Sequence, residues 1–194
     1  MNVKRIIVGI SGASGAVYGL RALDMLAAAG VETHAVVSRS AELTLKDEMG
    51  LALADIKSRC HSLHPVKNIG ALIASGSFQT DGMLIAPCSI RTLSEIVTGV
   101  TSTLLTRAAD VTLKERRRLV LMVRETPLHL GHLRVMTAAA EMGAIIAPPV
   151  PAFYTHPQSL DDMVTQTTGR VLDLFGVASD IQRWPGLGQG QPGS

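Results

Sequence analysis

The 194-residue chain is poor in aromatic residues and nearly free of cysteine. Phe, Trp and Tyr make up 3% of it, so the core must be built from aliphatic side chains. A ring placed in a loop then stands out as a candidate for a site. Two cysteines, Cys60 and Cys88, exclude a disulfide framework and point to the cytoplasm. No apolar run is long enough to span a bilayer, and MNVKRIIVGI leads straight into a strand pattern, so no membrane partner is expected. A large charge of one sign is lacking too. A formal net charge of +2 gives no electrostatic footprint for nucleic acid. What the chain has in plenty is apolar content, 46% of residues with a mean hydropathy of +0.27. At a length that suits one domain with a full core, that surplus is expected to meet other subunits.

Arg5 to Leu20, RIIVGISGASGAVYGL, organises the rest. Ile6, Ile7 and Val8 read as a buried strand. Gly9, Gly12 and Gly15 follow, with Ser11 and Ser14 between them, and an apolar helix runs from Ala16 to Ala29. Such a turn exposes backbone N–H groups at a helix N-terminus and suits an anion, usually phosphate, with the serine hydroxyls as further donors. A tight strand-to-helix turn without a ligand is the alternative. The spacing G-x-x-G-x-x-G is not the dinucleotide fingerprint. The next strand, Glu32 to Val37, ends in Ser38-Arg39-Ser40 rather than in an acid for a ribose hydroxyl. Arg39 keeps an NADP-dependent reductase open, and FMN fits as well.

Beyond that strand the pattern predicts a helix from about Ser40 to Ala54, then an irregular stretch, Asp55 to Ser77, in which His61 and His64 are solvated loop residues. Met83 to Ala86 is a buried strand. It is followed by the polar turn Pro87-Cys88-Ser89-Ile90-Arg91-Thr92 and a helix from Thr92 to Gly99. Cys88 reads as a small buried residue, not a nucleophile. A helix from Thr103 to Arg117 carries Arg107, Asp110 and Lys114 at helical spacing. The strand Leu119 to Val123 stops at Arg124-Glu125-Thr126-Pro127, before a helix from about Leu128 to Met142, on which His129 and His132 are lone surface residues. After a last short strand, Ala144 to Ile146, the loop Ala147 to Tyr154 is stiffened by three prolines. Ser159 caps a final helix carrying Arg170. Trp184 to Ser194 reads as a C-terminal tail to a domain spanning 1–183. Strand–helix alternation predicts one doubly wound, mainly parallel α/β sheet. The polar strand ends then share one edge.

Six motifs, SGASGAVYG (11–19), APCSIRTLSEIVTG (86–99), RAADVTLKERR (107–117), RETP (124–127), PAFYTHPQS (151–159) and GRVLDLFG (169–176), cover most of the chain. Together they resemble the flavin prenyltransferases of the UbiX type, also called small subunits of aromatic-acid or phenolic-acid decarboxylases. The resemblance implies a Rossmann-like fold, a homododecamer, and transfer of a dimethylallyl group from dimethylallyl monophosphate to reduced FMN. The product, prenylated FMN, serves a partner decarboxylase. By the same match Gly12, Ala13, Ser14, Ser38, Ser89, Thr92 and Arg124 fall on FMN-contacting positions. Lys114, Tyr154 and Arg170 fall on positions that hold the donor phosphate, with Arg124 nearby. Glu48, Glu125 and Trp184 match further catalytic positions, as do Ser14 and Lys114. Val123 departs from the family pattern, as does the stretch His129-Leu130-Gly131.

The chemistry suits these residue types. Breaking an allylic C–O bond leaves a cation and a phosphate, and Lys114, Arg124 and Arg170 supply charge for the phosphate. An aromatic face, that of Trp184 or of the flavin ring itself, shields the cation. Glu125, Glu48 or the departing phosphate takes the proton released on ring closure. Asp161-Asp162 lacks the third aspartate of a Mg²⁺–diphosphate motif, so no metal is expected. A flavin-dependent decarboxylase and an FMN-binding subunit of a decarboxylase complex are the rival readings beside the reductase.

Overall fold

The computed structural model describes residues 3–186. Along them run β1 (Arg5–Ile10), α1 (Ala16–Ala28), β2 (Glu32–Val37), α2 (Arg39–Met49), α3 (Leu53–Lys57) and β3 (Ser62–His64). Then come β4 (Gly82–Cys88), α4 (Ile90–Val97), α5 (Leu104–Lys114), β5 (Arg118–Val123), α6 (Leu130–Glu141), β6 (Ile145–Ile146) and α7 (Leu160–Leu172). All strands pair in parallel, in the order β3-β2-β1-β4-β5-β6. The order reverses direction between β1 and β4, which is the switch point of a Rossmann-like sheet.

Both faces of the sheet are covered. Ile6, Val8 and Ile10 alternate to one face and pack with Leu23 and Leu26 of α1 and Leu172 of α7. Ile7 points to the other, with Met83, Ile85, Leu105 and Leu121. Each fully buried aliphatic side chain of this size contributes about 1.5–3 kcal/mol. Helix α1 lies close on the sheet because Gly19 has no side chain. A Cβ there would come within 2.3 Å of the Ala86 carbonyl oxygen and 2.9 Å of Ile10. Val150, Phe153 and Leu160 stay 72%, 70% and 81% exposed, the apolar surplus that the composition assigns to contacts between copies.

Two expectations are corrected here. The helix from Ser40 to Ala54 ends at Met49, because Gly50 turns left-handed at φ 68° and closes it. Nor is Asp55 to Ser77 irregular: it holds part of α3, all of β3 and a 3-10 turn at Leu72–Ala74. Strand β3 is three residues long and shows no alternation, yet it extends the sheet by pairing Val36 with His64.

That pairing also overturns the reading of His64 as a solvated loop residue. The His64 ring lies 2.9 Å, Nε2 to Nδ1, from buried His34, whose Nε2 is 2.8 Å from Glu32 Oε1. Arg5 closes the row with two bonds to Glu32, of 2.7 and 2.9 Å. With Glu32 as final acceptor, the proton order is His64 to His34 to Glu32. The Arg5 hydrogen bond, helped by His34, lowers the Glu32 pKa to about 2. Burial, and then the neighbouring His34, lowers that of His64. His61 is exposed, as expected.

Among the described residues no helix is long and apolar enough to cross a membrane. Of the predicted tail, residues 187–194 lie outside the described part.

The row sets a pH dependence of stability. Unfolded His64 takes a proton near the ordinary histidine value of 6.5, whereas folded His64 resists it. Its contribution is therefore complete above 6.5 and falls away as pH drops through the interval beneath. Glu32 adds a second decline as pH falls from 4.5 towards about 2. Denaturant unfolding over about pH 4 to 8 is expected to show the first decline in the wild type. The same measurement on His64→Gln should lack it.

Candidate active site at the switch point

The carboxyl ends of β1 and β4 are bolted together by Ser11. Its hydroxyl is fully buried, donates to the Pro87 carbonyl at 2.9 Å, and accepts from the Ser89 backbone N–H at 2.8 Å. Pro87 has no N–H for the β4–β5 ladder, and the register shifts between Ile85 and Cys88. Ser11 makes good that break from the β1 side. The sequence suggested that this hydroxyl faces a ligand; it is instead a structural pin that fixes where Ser89 sits.

Helix α2 lies over the turn that follows β1. A Cβ on Gly12 would come 2.2 Å from Ser40 Cβ, so glycine there makes room for α2. At the far end of α2, Glu48 accepts from the backbone N–H groups of Gly15, at 3.0 Å, and Ala16, at 3.2 Å. Gly15 is the N-cap of α1 and makes no side-chain cap of its own. The anion expected at this helix start is thus supplied by the chain itself, and a phosphate placed there would meet a carboxylate. Ser14, beside it, is exposed.

Along the same edge Ser38 and Ser89 are the N-caps of α2 and α4, accepting from Ala41 and Thr92 backbone N–H groups at 3.1 and 3.2 Å. Ser89 Oγ and Thr92 Oγ1 are 3.1 Å apart. Arg124 follows β5, its backbone N–H on the Cys88 carbonyl at 3.0 Å. Its guanidinium has no hydrogen bond or ion pair among the described residues, and neither has Glu125 beyond the Thr126 backbone. Tyr18 of α1 faces the same edge. Burial raises its pKa, and the charge of Arg124 pulls the other way. The Cys88 thiol is fully buried and pushed up to about 12, which bars it as a nucleophile. Arg39 opens α2 and lines, with His64 and Lys67, a cavity of about 440 Å³ beside Ser38. His129, read as a lone surface residue, caps α6: its Nδ1 accepts from Gly131 N–H at 3.0 Å, and its ring lies 3.6 Å from that of His132.

The residues expected to hold the donor phosphate are not at this edge. Tyr154 and Trp184 meet edge to face, ring centroids 5.3 Å apart, on the α7 side. Arg170 is in the last turn of α7 and pairs with Asp173. That end lies at the amino edge of the sheet, where Lys4 donates to the Phe175 and Gly176 carbonyls at 2.7 and 2.8 Å. Lys114 ends α5 just before β5 begins and pairs with Glu115. Residues 76–79, which lead into β4, lie beside it: Arg117 donates to the Phe78 carbonyl at 2.8 Å. The length of β5, roughly 20 Å at 3.3 Å per residue, separates Lys114 from Arg124. Within one chain, then, Lys114 and Arg170 lie towards the amino edge and Arg124 at the carboxyl edge, so a single copy does not bring the three cations together. Sequence reasoning also missed Gln166 and Asp173, which contact Tyr154 and Arg170, and Arg183, which pairs with Asp173. The i,i+3 spacing of Arg170 and Asp173 was the one available signal.

The carboxyl edge thus presents the hydroxyls of Ser14, Ser38, Ser89 and Thr92 and the Arg124 guanidinium, which is unpaired among the described residues. This donor set fits the polar edge, ribityl chain and phosphate of a flavin mononucleotide. Among the described residues no group of three His, Cys, Asp or Glu is placed to hold a metal.

The family model described as Flavoprotein matches residues 1–171. The chain is 58% identical over 188 residues to the flavin prenyltransferase UbiX of Escherichia coli K12, covering 95% of this chain and 100% of that protein. It superposes with a TM-score of 0.94 and 45% identity on the crystal structure of AnUbiX (PadA1) in complex with FMN and dimethylallyl pyrophosphate, covering 95% and 99% of the two chains. A dodecameric FMN-dependent UbiX-like decarboxylase from Escherichia coli O157:H7 matches with a TM-score of 0.91 and 44% identity, over 94% and 100%.

Removing the Glu48 carboxylate should loosen the start of α1. Glu48→Ala is expected to cost about 1 kcal/mol of stability, as loss of a helix cap does, and Glu48→Gln about half of that. Denaturant midpoints at unchanged slope are the measurement.

Proposed function

The chain belongs to the UbiX-type flavin prenyltransferases within the Flavoprotein family, and from that premise we propose how its two groups of site residues divide the work. It transfers a dimethylallyl group to reduced FMN, giving prenylated FMN for a partner aromatic-acid decarboxylase. The observation that carries this is the close superposition on a complex that holds both FMN and a dimethylallyl donor. The flavin supplies the nucleophilic atoms that receive the dimethylallyl group. On our reading Gly12 to Ser14, Ser38, Ser89, Thr92 and Arg124 hold and orient it. Ser11 and the two serine caps support this, because they fix those donors in place before any ligand arrives.

Tyr154, Arg170 and Lys114 take the donor phosphate. Their distance from Arg124 within one chain supports a site completed between copies, in keeping with a homododecamer. Charge on the leaving oxygen is then met by Lys114 Nζ and two guanidinium groups, and Trp184 offers its ring face to the cation. Glu48 is committed to Gly15 and Ala16, which leaves the Glu125 carboxylate free to accept the proton released on ring closure. We read the donor as the monophosphate. Asp161 is engaged by Arg21, and Asp162 accepts from the Gln158 and Ser159 backbone at 2.9 Å, so neither is free to hold Mg²⁺ for a diphosphate. We take 1–183 as the FMN-binding domain and 184–194 as its tail. We infer a cytoplasmic location, which the free thiols of Cys60 and Cys88 support.

Incubation with reduced FMN and dimethylallyl monophosphate should release a flavin heavier by one dimethylallyl-derived unit, with altered absorbance. Recovery of unmodified FMN would sink the proposal, and a parallel run with the pyrophosphate decides the donor. Arg170→Ala and Tyr154→Phe should slow single-turnover transfer by an amount equivalent to about 2–4 kcal/mol. FMN affinity, titrated on the same variants, should stay nearly unchanged. Loss of FMN binding with normal turnover of the bound fraction would reassign both residues.

A further inference from the structure

The segment of residues 177–186 carries Trp184 but no helix or strand in which to hold it. Two side chains fasten it. Asp173, in the turn that ends α7, accepts from Arg183, with 2.8 Å between Nη2 and Oδ1, and its other oxygen is shared by Arg183 and Arg170. One carboxylate thus holds two guanidinium groups, one from the helix and one from the segment. Gln166, two turns earlier and buried, donates to the Gln182 carbonyl at 2.8 Å and reaches the Tyr154 hydroxyl at 3.5 Å. Trp184 then stands against Tyr154. The Asp173 carboxyl sits below its ordinary range, first through the Arg183 hydrogen bond, as expected of a group that stays ionised between two cations.

We propose that Asp173 and Gln166 are positioning residues of the donor-binding half of the site, and that Arg183 joins Arg170 as a second cation presented to the donor phosphate. This rests on the reading of Tyr154, Arg170 and Trp184 as donor-binding residues. A single guanidinium on a half-exposed helix end samples many rotamers. Two that share one carboxylate are held in a fixed fork, so less freedom is lost when a phosphate binds. Gln166 holds the segment one residue before Arg183, at the Gln182 carbonyl, and so sets its distance from Tyr154. Neither side chain contacts the carboxyl edge where the flavin lies, so their effect separates from flavin binding.

Trp184 is the sole tryptophan, so its emission reports this segment directly. The test uses the full assembled chain, with Asp173→Asn and Gln166→Leu as variants. Both are expected to raise KM for dimethylallyl monophosphate roughly tenfold, with a smaller change in kcat. Acrylamide should quench Trp184 more readily in each, while FMN affinity stays within about twofold of wild type. Arg183→Ala should raise KM likewise, and Arg183→Lys should recover part of the loss. A wild-type KM and wild-type quenching in Asp173→Asn would overturn the proposal. So would a fall in FMN affinity as large as the fall in donor affinity, since that is the mark of a general structural role. A wild-type protein that transfers no dimethylallyl group would overturn the functional reading instead. Transfer by the wild type with unaltered variants overturns only this inference.

Discussion

The hydroxyl of Ser11 is the contact on which the site depends. A parallel sheet opens a crevice where its strand order reverses, but a crevice fixes nothing unless the strand ends beside it are held in register. Here the strand on one side contains a proline and loses its regular ladder. Ser11 spans that defect, donating to one backbone group and accepting from another two residues on. The Ser89 cap, the start of α4 and the backbone partner of Arg124 all follow from this single small side chain.

Electrostatics complete what the pin begins. Several helices start at the carboxyl edge, each with its positive dipole end towards the same crevice. Glu48 answers one of them from within the chain, and Ser38 and Ser89 cap two others with neutral hydroxyls. An anionic ligand is thereby steered away from the first helix and towards the ends that remain uncompensated, where Arg124 adds a full charge.

Much of this was legible in the sequence, for physical reasons. Ile6 to Val8 and Met83 to Ala86 announce buried parallel strands by being apolar throughout, and the polar turns after them mark the ligand edge. Strand β3 was hidden because three residues carry no period, and its neighbour His34 shows its importance only through a partner thirty positions away. Glu48 looks like any exposed helix residue until α2 is laid across the β1 turn. The place of Lys114 was legible as well. A helix that ends just before a parallel strand must end at the amino edge, and the order of elements alone carried that information.

That position of Lys114 has a consequence for inheritance of function. If each reaction centre draws its lysine from one copy and its arginine from another, no chain owns a whole active site. A chain defective only at Lys114 and a chain defective only at Arg124 each retain what the other lacks. In a mixed assembly some centres would be lined entirely by intact residues and others would carry both lesions. Two null alleles could then complement one another within a single cell, and a chain carrying both lesions would damage two centres where a chain carrying either one damages a single centre.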